Sequence, residues 1–129
     1  MAKREDWQEW DLTGLEVTQL RLDYTLHVHL WTLERDFLIT FGVPFVLHSP
    51  SEAPVTLDPA VSEAMAPVLS LLHEPAASFA ASSLGRCVLR MADGTELRSE
   101  PHPTYEAWES RGSGDLEAAS FLCDPASAA

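Results

Sequence analysis

The sequence is poor in basic residues, in cysteine and in long apolar runs. Only 8 lysines and arginines stand against 20 aspartates and glutamates, a formal net charge of −12 at neutral pH. Nucleic acids and anionic membranes select a positive footprint, so neither is expected as a partner. The two cysteines, Cys87 and Cys123, lie in apolar, strand-like stretches without metal-type spacing, and read as reduced core thiols of a cytoplasmic protein. No run of about 18 apolar residues is present to span a bilayer. Residues 1 to 11 carry Lys3 and Arg4 but not the apolar stretch of a signal peptide. At 129 residues the chain is read as one domain, long enough to bury a core without disulfide or metal staples.

What the sequence does have is alternation. Leu20, Leu22, Tyr24, Leu26, Val28 and Leu30 occupy the even positions, and Arg21, Asp23, Thr25, His27 and His29 lie between them. A period of two is β structure with one buried face. One strand from Val17 to Trp31 would reach about 50 Å at about 3.3 Å per residue, too long for a small domain. A reversal near Asp23 is therefore expected. A three-residue loop, Asp23-Tyr24-Thr25, pairs Leu22 with Leu26 and Leu20 with Val28, whereas a two-residue loop would set Leu20 against His27. One long bent strand is the alternative, because the phase never slips.

The rest of the chain is read around this stretch. Trp7 and Trp10, at i and i+3, share one side of a short helical turn in an N-terminal segment, residues 1–13, that caps the core. Alternation resumes over Phe37, Ile39, Phe41, Val43, Phe45 and Leu47, and Pro44, which cannot donate to a ladder, marks an edge strand or a bulge. Asp58-Pro59 signals a helix start, followed by Val61, Met65, Leu69 and Leu72 on one helical face, with a kink or a second helix at Pro67 and a stop by Glu74. Ala77, Phe79 and Ala81, then Cys87, Leu89 and Met91, repeat the first half in outline. A loop Ala92-Asp93-Gly94, with Gly94 left-handed, pairs Leu89 with Leu97 and Arg90 with Glu96. The run Tyr105–Glu109 and the stretch Leu116–Cys123 read as further strands, and residues 125–129 as a disordered tail.

The pieces GLEVTQLRLDYTLHVHL, PVTLDP, APVLSLL, ADGTEL and YEAWES resemble a family of small, uncharacterised actinobacterial proteins known as a domain of unknown function. The resemblance covers most of residues 14 to 123, with the LDP and YEAWE runs as its most specific parts. It implies no activity.

Among residues that carry chemistry, His27 and His29 stand out, since i and i+2 share a strand face and suit two ligands of a metal site. A third ligand would have to come from Asp23, His102 or Glu106; without one, the pair is an exposed polar face. No catalytic residues are assigned: apolar flanks make Cys87 and Cys123 inert thiols, and no nucleophile elbow, phosphate loop or zincin helix occurs. No cofactor is expected. Trp31 follows His27 and His29 on the same face, and Trp108 joins them from a later strand in the binding-surface reading. Cover of that face by the helix or by the Trp7/Trp10 segment is the expectation otherwise.

The expected fold is α+β, mainly antiparallel β, with two related β-meander-like halves joined by a helical segment near residues 59–73. The function expected is a small acidic, non-enzymatic protein-binding module, such as an immunity or antitoxin-type neutraliser of a basic partner. The alternatives are a metal-dependent or ligand-handling enzyme using His27 and His29, and a structural homodimer.

Overall fold

Alternating side chains build eleven strands and two sheets around one core in the computed structural model, which describes residues 4–123 and 125. The strands are β1 (Trp7–Asp11), β2 (Val17–Leu22), β3 (Leu26–Trp31), β4 (Asp36–Phe41), β5 (Phe45–His48), β6 (Val55–Leu57), β7 (Ala76–Ser82), β8 (Cys87–Met91), β9 (Glu96–Ser99), β10 (Trp108–Gly112) and β11 (Phe121–Cys123). One sheet runs β1-β7-β8-β9-β5-β6 and the other β11-β10-β4-β3-β2. All their pairings are antiparallel. The expected meanders are present as β2-β3-β4 and β7-β8-β9, each completed by strands from the other half of the chain.

Both predicted hairpins hold their registers. Leu22 faces Leu26 and Leu20 faces Val28 across the loop 23–25, so one long strand is ruled out. Leu89 faces Leu97 and Arg90 faces Glu96 across the loop 92–94. Each loop has a residue at positive φ: Tyr24 at 69° and Gly94 at 94°. Glycine adopts that conformation without a Cβ penalty, whereas tyrosine does so at a cost.

Large apolar side chains from the two sheets meet in the middle. Phe37, Phe41, Phe45 and Phe79 are fully buried. Phe37 of β4 packs on Phe79 of β7 at 4.9 Å between ring centroids, and Phe41 on Phe45 at 4.8 Å. Burying each such ring contributes about 1.5–3 kcal/mol, so these contacts bind one sheet to the other.

Several expectations are corrected. The run from Phe37 to Leu47 spans two strands in different sheets, and Pro44 lies in the link between them rather than at an edge or bulge. The alternation passes through unbroken because both sheets turn their apolar faces to the same core. At this crossing a Cβ on Gly42 would stand 2.9 Å from the Glu106 carbonyl oxygen, so the close passage of the two backbones requires glycine. The helical segment is a 3₁₀ helix, Ser62–Leu71, and its buried residues are Met65, Val68 and Leu71. Their spacing of three matches three residues per turn, so Val61, Leu69 and Leu72 point outward instead of sharing the buried face. Pro67, inside the segment, has no N–H for an i→i−4 ladder. Asp58 caps only the turn before it, accepting from the Ala60 N–H at 3.0 Å.

Trp7 and Trp10 lie on a strand, not a helical turn, because β1 pairs with β7. A strand sends residues three apart to opposite faces. Trp10 packs on Phe79 and Phe121 against the core, while Trp7 is half exposed on the outer side. Near the C-terminus, Tyr105 precedes the strand that begins at Trp108, and 114–119 form a second 3₁₀ helix (Gly114–Ala119), leaving only Phe121–Cys123 as strand. The tail expected to be disordered lies outside the described residues apart from Pro125.

Candidate functional site

The outer face of the five-stranded sheet is built by the polar positions that alternate with the core. On β3 these are His27, His29 and Trp31, half-buried for the two histidines and 47 % exposed for Trp31. Across the ladder His27 faces Arg21 and Thr40, His29 faces Gln19 and Leu38, and Trp31 faces Asp36. Neither expected cover lies over this face: β1 belongs to the other sheet, and the first 3₁₀ helix packs along β2.

Each histidine is held by its own aspartate. Nε2 of His27 lies 2.8 Å from Asp23 Oδ1, and its Nδ1 lies 2.9 Å from the Thr40 hydroxyl. With the proton on Nε2, the ring donates to Asp23 and accepts from Thr40. The Thr25 hydroxyl donates to the same carboxylate oxygen at 2.6 Å. Hydrogen bonds from Thr25 and His27 hold the Asp23 carboxyl below its ordinary pKa, with the charge of Arg21 adding to them. Nε2 of His29 lies 2.5 Å from Asp36 Oδ1.

This arrangement suits fixed polar side chains better than a cation. The Arg21 guanidinium comes within 3.4 Å of both nitrogens of His27 and repels positive charge there. Asp23 reaches His27 but not His29, and His102 accepts from the Thr104 and Tyr105 backbone N–H groups. Among the described residues no group of three or more His, Cys, Asp or Glu is placed to hold a metal ion.

Trp108 is corrected outright. It is buried against the core, edge-on to Phe79 with centroids 5.9 Å apart, and its indole N–H donates to the Gly85 carbonyl at 2.9 Å. It points to the opposite side of the sheet from Trp31, because β10 begins at Trp108 with its buried phase. Cys87 and Cys123 are both buried, Cys123 Sγ lies 3.4 Å from the Gly85 carbonyl oxygen, and burial pushes the Cys87 thiol well above its usual pKa.

Two features of this face escaped the sequence reading. Asp36 stands one residue ahead of the alternating run that starts at Phe37, although it opens β4. Leu33, at the tip of the β3–β4 loop, is 92 % exposed beside Trp31. The outward phase of β4, extended back across a four-residue loop, was the signal for Asp36 and Thr40. Around this tip stand Glu34, Asp36 and Asp115. Arg35, the cation among them, is turned inward: it donates to the Thr13 carbonyl at 2.9 Å, the Asp11 carbonyl at 2.6 Å and Asp115 at 3.1 Å.

The charge ledger extends this picture. All seven arginines lie within 3.6 Å of a carboxylate. More than half of the described acidic residues are left without an ion-pair partner.

No curated protein and no solved structure matches the chain. A family model described as a family of unknown function, DUF6188, matches residues 8–125, and the chain belongs to that family.

Proposed function

We propose that the protein is a small acidic, non-enzymatic protein-binding module that captures a basic partner, in the manner of an immunity or antitoxin-type neutraliser. The observation that carries this reading is the tip of the β3–β4 hairpin: Trp31 and Leu33, both exposed, ringed by Glu34, Asp36 and Asp115, with Arg35 turned away from solvent. An aromatic anchor supplies apolar area, and a rim of carboxylates steers a cationic surface toward it. His27 and His29 extend the surface along β3 as hydrogen-bonded contacts. Trp108 has no part in it.

Capture from an extract of the native cells at low salt, with native mass spectrometry of the eluate, tests the reading. A stoichiometric basic protein is expected, released by salt and bound roughly tenfold or more weakly by Trp31→Ala. Capture that ignores both salt and Trp31→Ala sinks the proposal. A bare homodimer in the eluate replaces it with the structural-homodimer reading, and a dimer carrying metal returns attention to His27 and His29.

A further inference from the structure

The opposite side of the molecule carries a different site. Arg86, Arg90 and Arg98, three of the 8 basic residues in the chain, line one open cavity of about 460 Å³ on the outer face of the six-stranded sheet. Trp7, Val46 and Val88 supply its apolar wall. Its volume lies in the range of small-molecule sites, roughly 300–1,000 Å³.

The arginines are held in place but not used up. Glu96, opposite Arg90 in the ladder and almost fully buried, is gripped from two sides. Its Oε2 accepts from Arg90 Nε at 2.8 Å and lies 2.7 Å from Arg90 Nη2, and its Oε1 accepts from Arg98 Nε at 2.9 Å and from Arg98 Nη2. Arg86 directs Nη1 to Glu5 and Nε to Glu100. Arg90 and Arg98 each keep an Nη1, and Arg86 keeps an Nη2, without a hydrogen bond to any described residue. Guanidinium groups fixed by a carboxylate lose less freedom on binding a second anion, and their planar forks match a carboxylate.

We infer that this cavity binds a monocarboxylate with an apolar body, the carboxylate on the free guanidinium edges of Arg90 and Arg98 and the body against Trp7 and Val88. This site lies on the other sheet from the Trp31 tip and stands independently of the binding function proposed above. A dianion such as phosphate fits less well. Three carboxylates, Glu5, Glu96 and Glu100, already offset the three arginines, and the chain as a whole carries −12. At physiological salt the distant charges are screened beyond about 8 Å, so the direct hydrogen bonds decide for a single negative charge.

The test is an NMR titration of the full chain with 3-phenylpropionate, 3-phenylpropionamide and inorganic phosphate. The carboxylate is expected to shift the Trp7 indole and the backbone amides of β8 and β9, and the amide and phosphate are not. Arg98→Gln should weaken the carboxylate roughly tenfold or more. Trp7→Ala leaves every guanidinium in place and should also weaken it, which keeps the test intact should Arg98→Gln unfold. Equal shifts from acid and amide, an affinity unchanged in both variants, or no shifts at millimolar ligand would overturn the inference. A short peptide ending in a free Phe carboxylate presents the same chemistry. Tighter binding of that peptide than of phenylpropionate assigns the site to a chain terminus, and the reverse assigns it to a small acid.

Discussion

On the five-stranded sheet the outward row across β2 and β3 reads Gln19, Arg21, His27, His29 and Trp31. On the six-stranded sheet the outward positions of β8 and β9 hold Arg90, Glu96 and Arg98 between Trp7 and Val46. Turned over, the sheets resemble each other: Leu26, Val28 and Leu30 on one side answer Cys87, Leu89 and Met91 on the other, all buried. An inner face has to fill volume, and similar apolar side chains do that in either sheet. Its outer face has only to satisfy its own polar atoms, and histidine–aspartate pairs do so on one side while arginine–glutamate pairs do so on the other. The two faces are therefore free to carry different chemistry over a common core.

The sharpest way to break this comparison is to remove a side chain that both inner faces share. Phe79 of β7 touches Phe37, Trp10 and Trp108, and so spans the sheets. Phe79→Ala should cost about 3–5 kcal/mol in urea unfolding. Tryptophan fluorescence and far-UV dichroism should report it as one transition; separate transitions for the two sheets would mean that they do not share a core.

A middle-sized effect compares the outer faces with each other. Burial pushes the Glu96 carboxyl up, but the hydrogen bonds and charges of Arg98 and Arg90 outweigh it and hold the pKa below the usual glutamate value. Asp23 is lowered too, by Thr25 and His27. In both cases the unfolded chain binds more protons in acid. The stabilisation is therefore complete above the ordinary carboxyl range, about pH 4, and is lost as pH falls through the depressed folded value. Glu96→Gln should cost about 1–2 kcal/mol at pH 7, discounted because both guanidinia are half exposed. Both Glu96→Gln and Asp23→Asn should flatten the acid limb of stability against pH. The flattening should be larger for Glu96, since Asp23 stands in solvent; an equal effect would show that the two outer faces are tied down alike, and a reversed order that the histidine face is held more firmly.

The smallest effect separates the two hairpin loops. Tyr24 holds positive φ with a Cβ, and Gly94 does so without one. Tyr24→Asn should stabilise by up to about 1 kcal/mol, because asparagine tolerates the left-handed region better. Gly94→Ala should do the opposite, since its new Cβ would also stand 3.0 Å from Pro50 Cγ. Thermal unfolding of the pair reads both signs.

Much of the strand pattern was legible because it is local. A period of two and the need to keep apolar opposite apolar specify Leu22 with Leu26 and Leu89 with Leu97 before any tertiary contact is known. The 3₁₀ helix was less legible, since α and 3₁₀ spacings differ by only about half a residue per turn and Pro67 disturbs both. In the candidate site, His27, His29 and Trp31 share a face as their spacing requires. Their partners Asp36 and Thr40 were not read, because a short charged loop hides where the next strand begins.

The sequence alone determines the phase of β2 to β5 and of β8, the two tight hairpins, the excess of negative charge and the shared face of His27, His29 and Trp31. These follow from neighbours in the chain and from the geometry of a pleated strand. Tertiary structure alone decides that the chain changes sheets at residues 42–44, that Trp108 faces the core while Trp31 faces water, and that Arg86, Arg90 and Arg98 converge beside Trp7. Each of these depends on which distant strand lies alongside, and a period of two is blind to that because it reads the same in every pairing order.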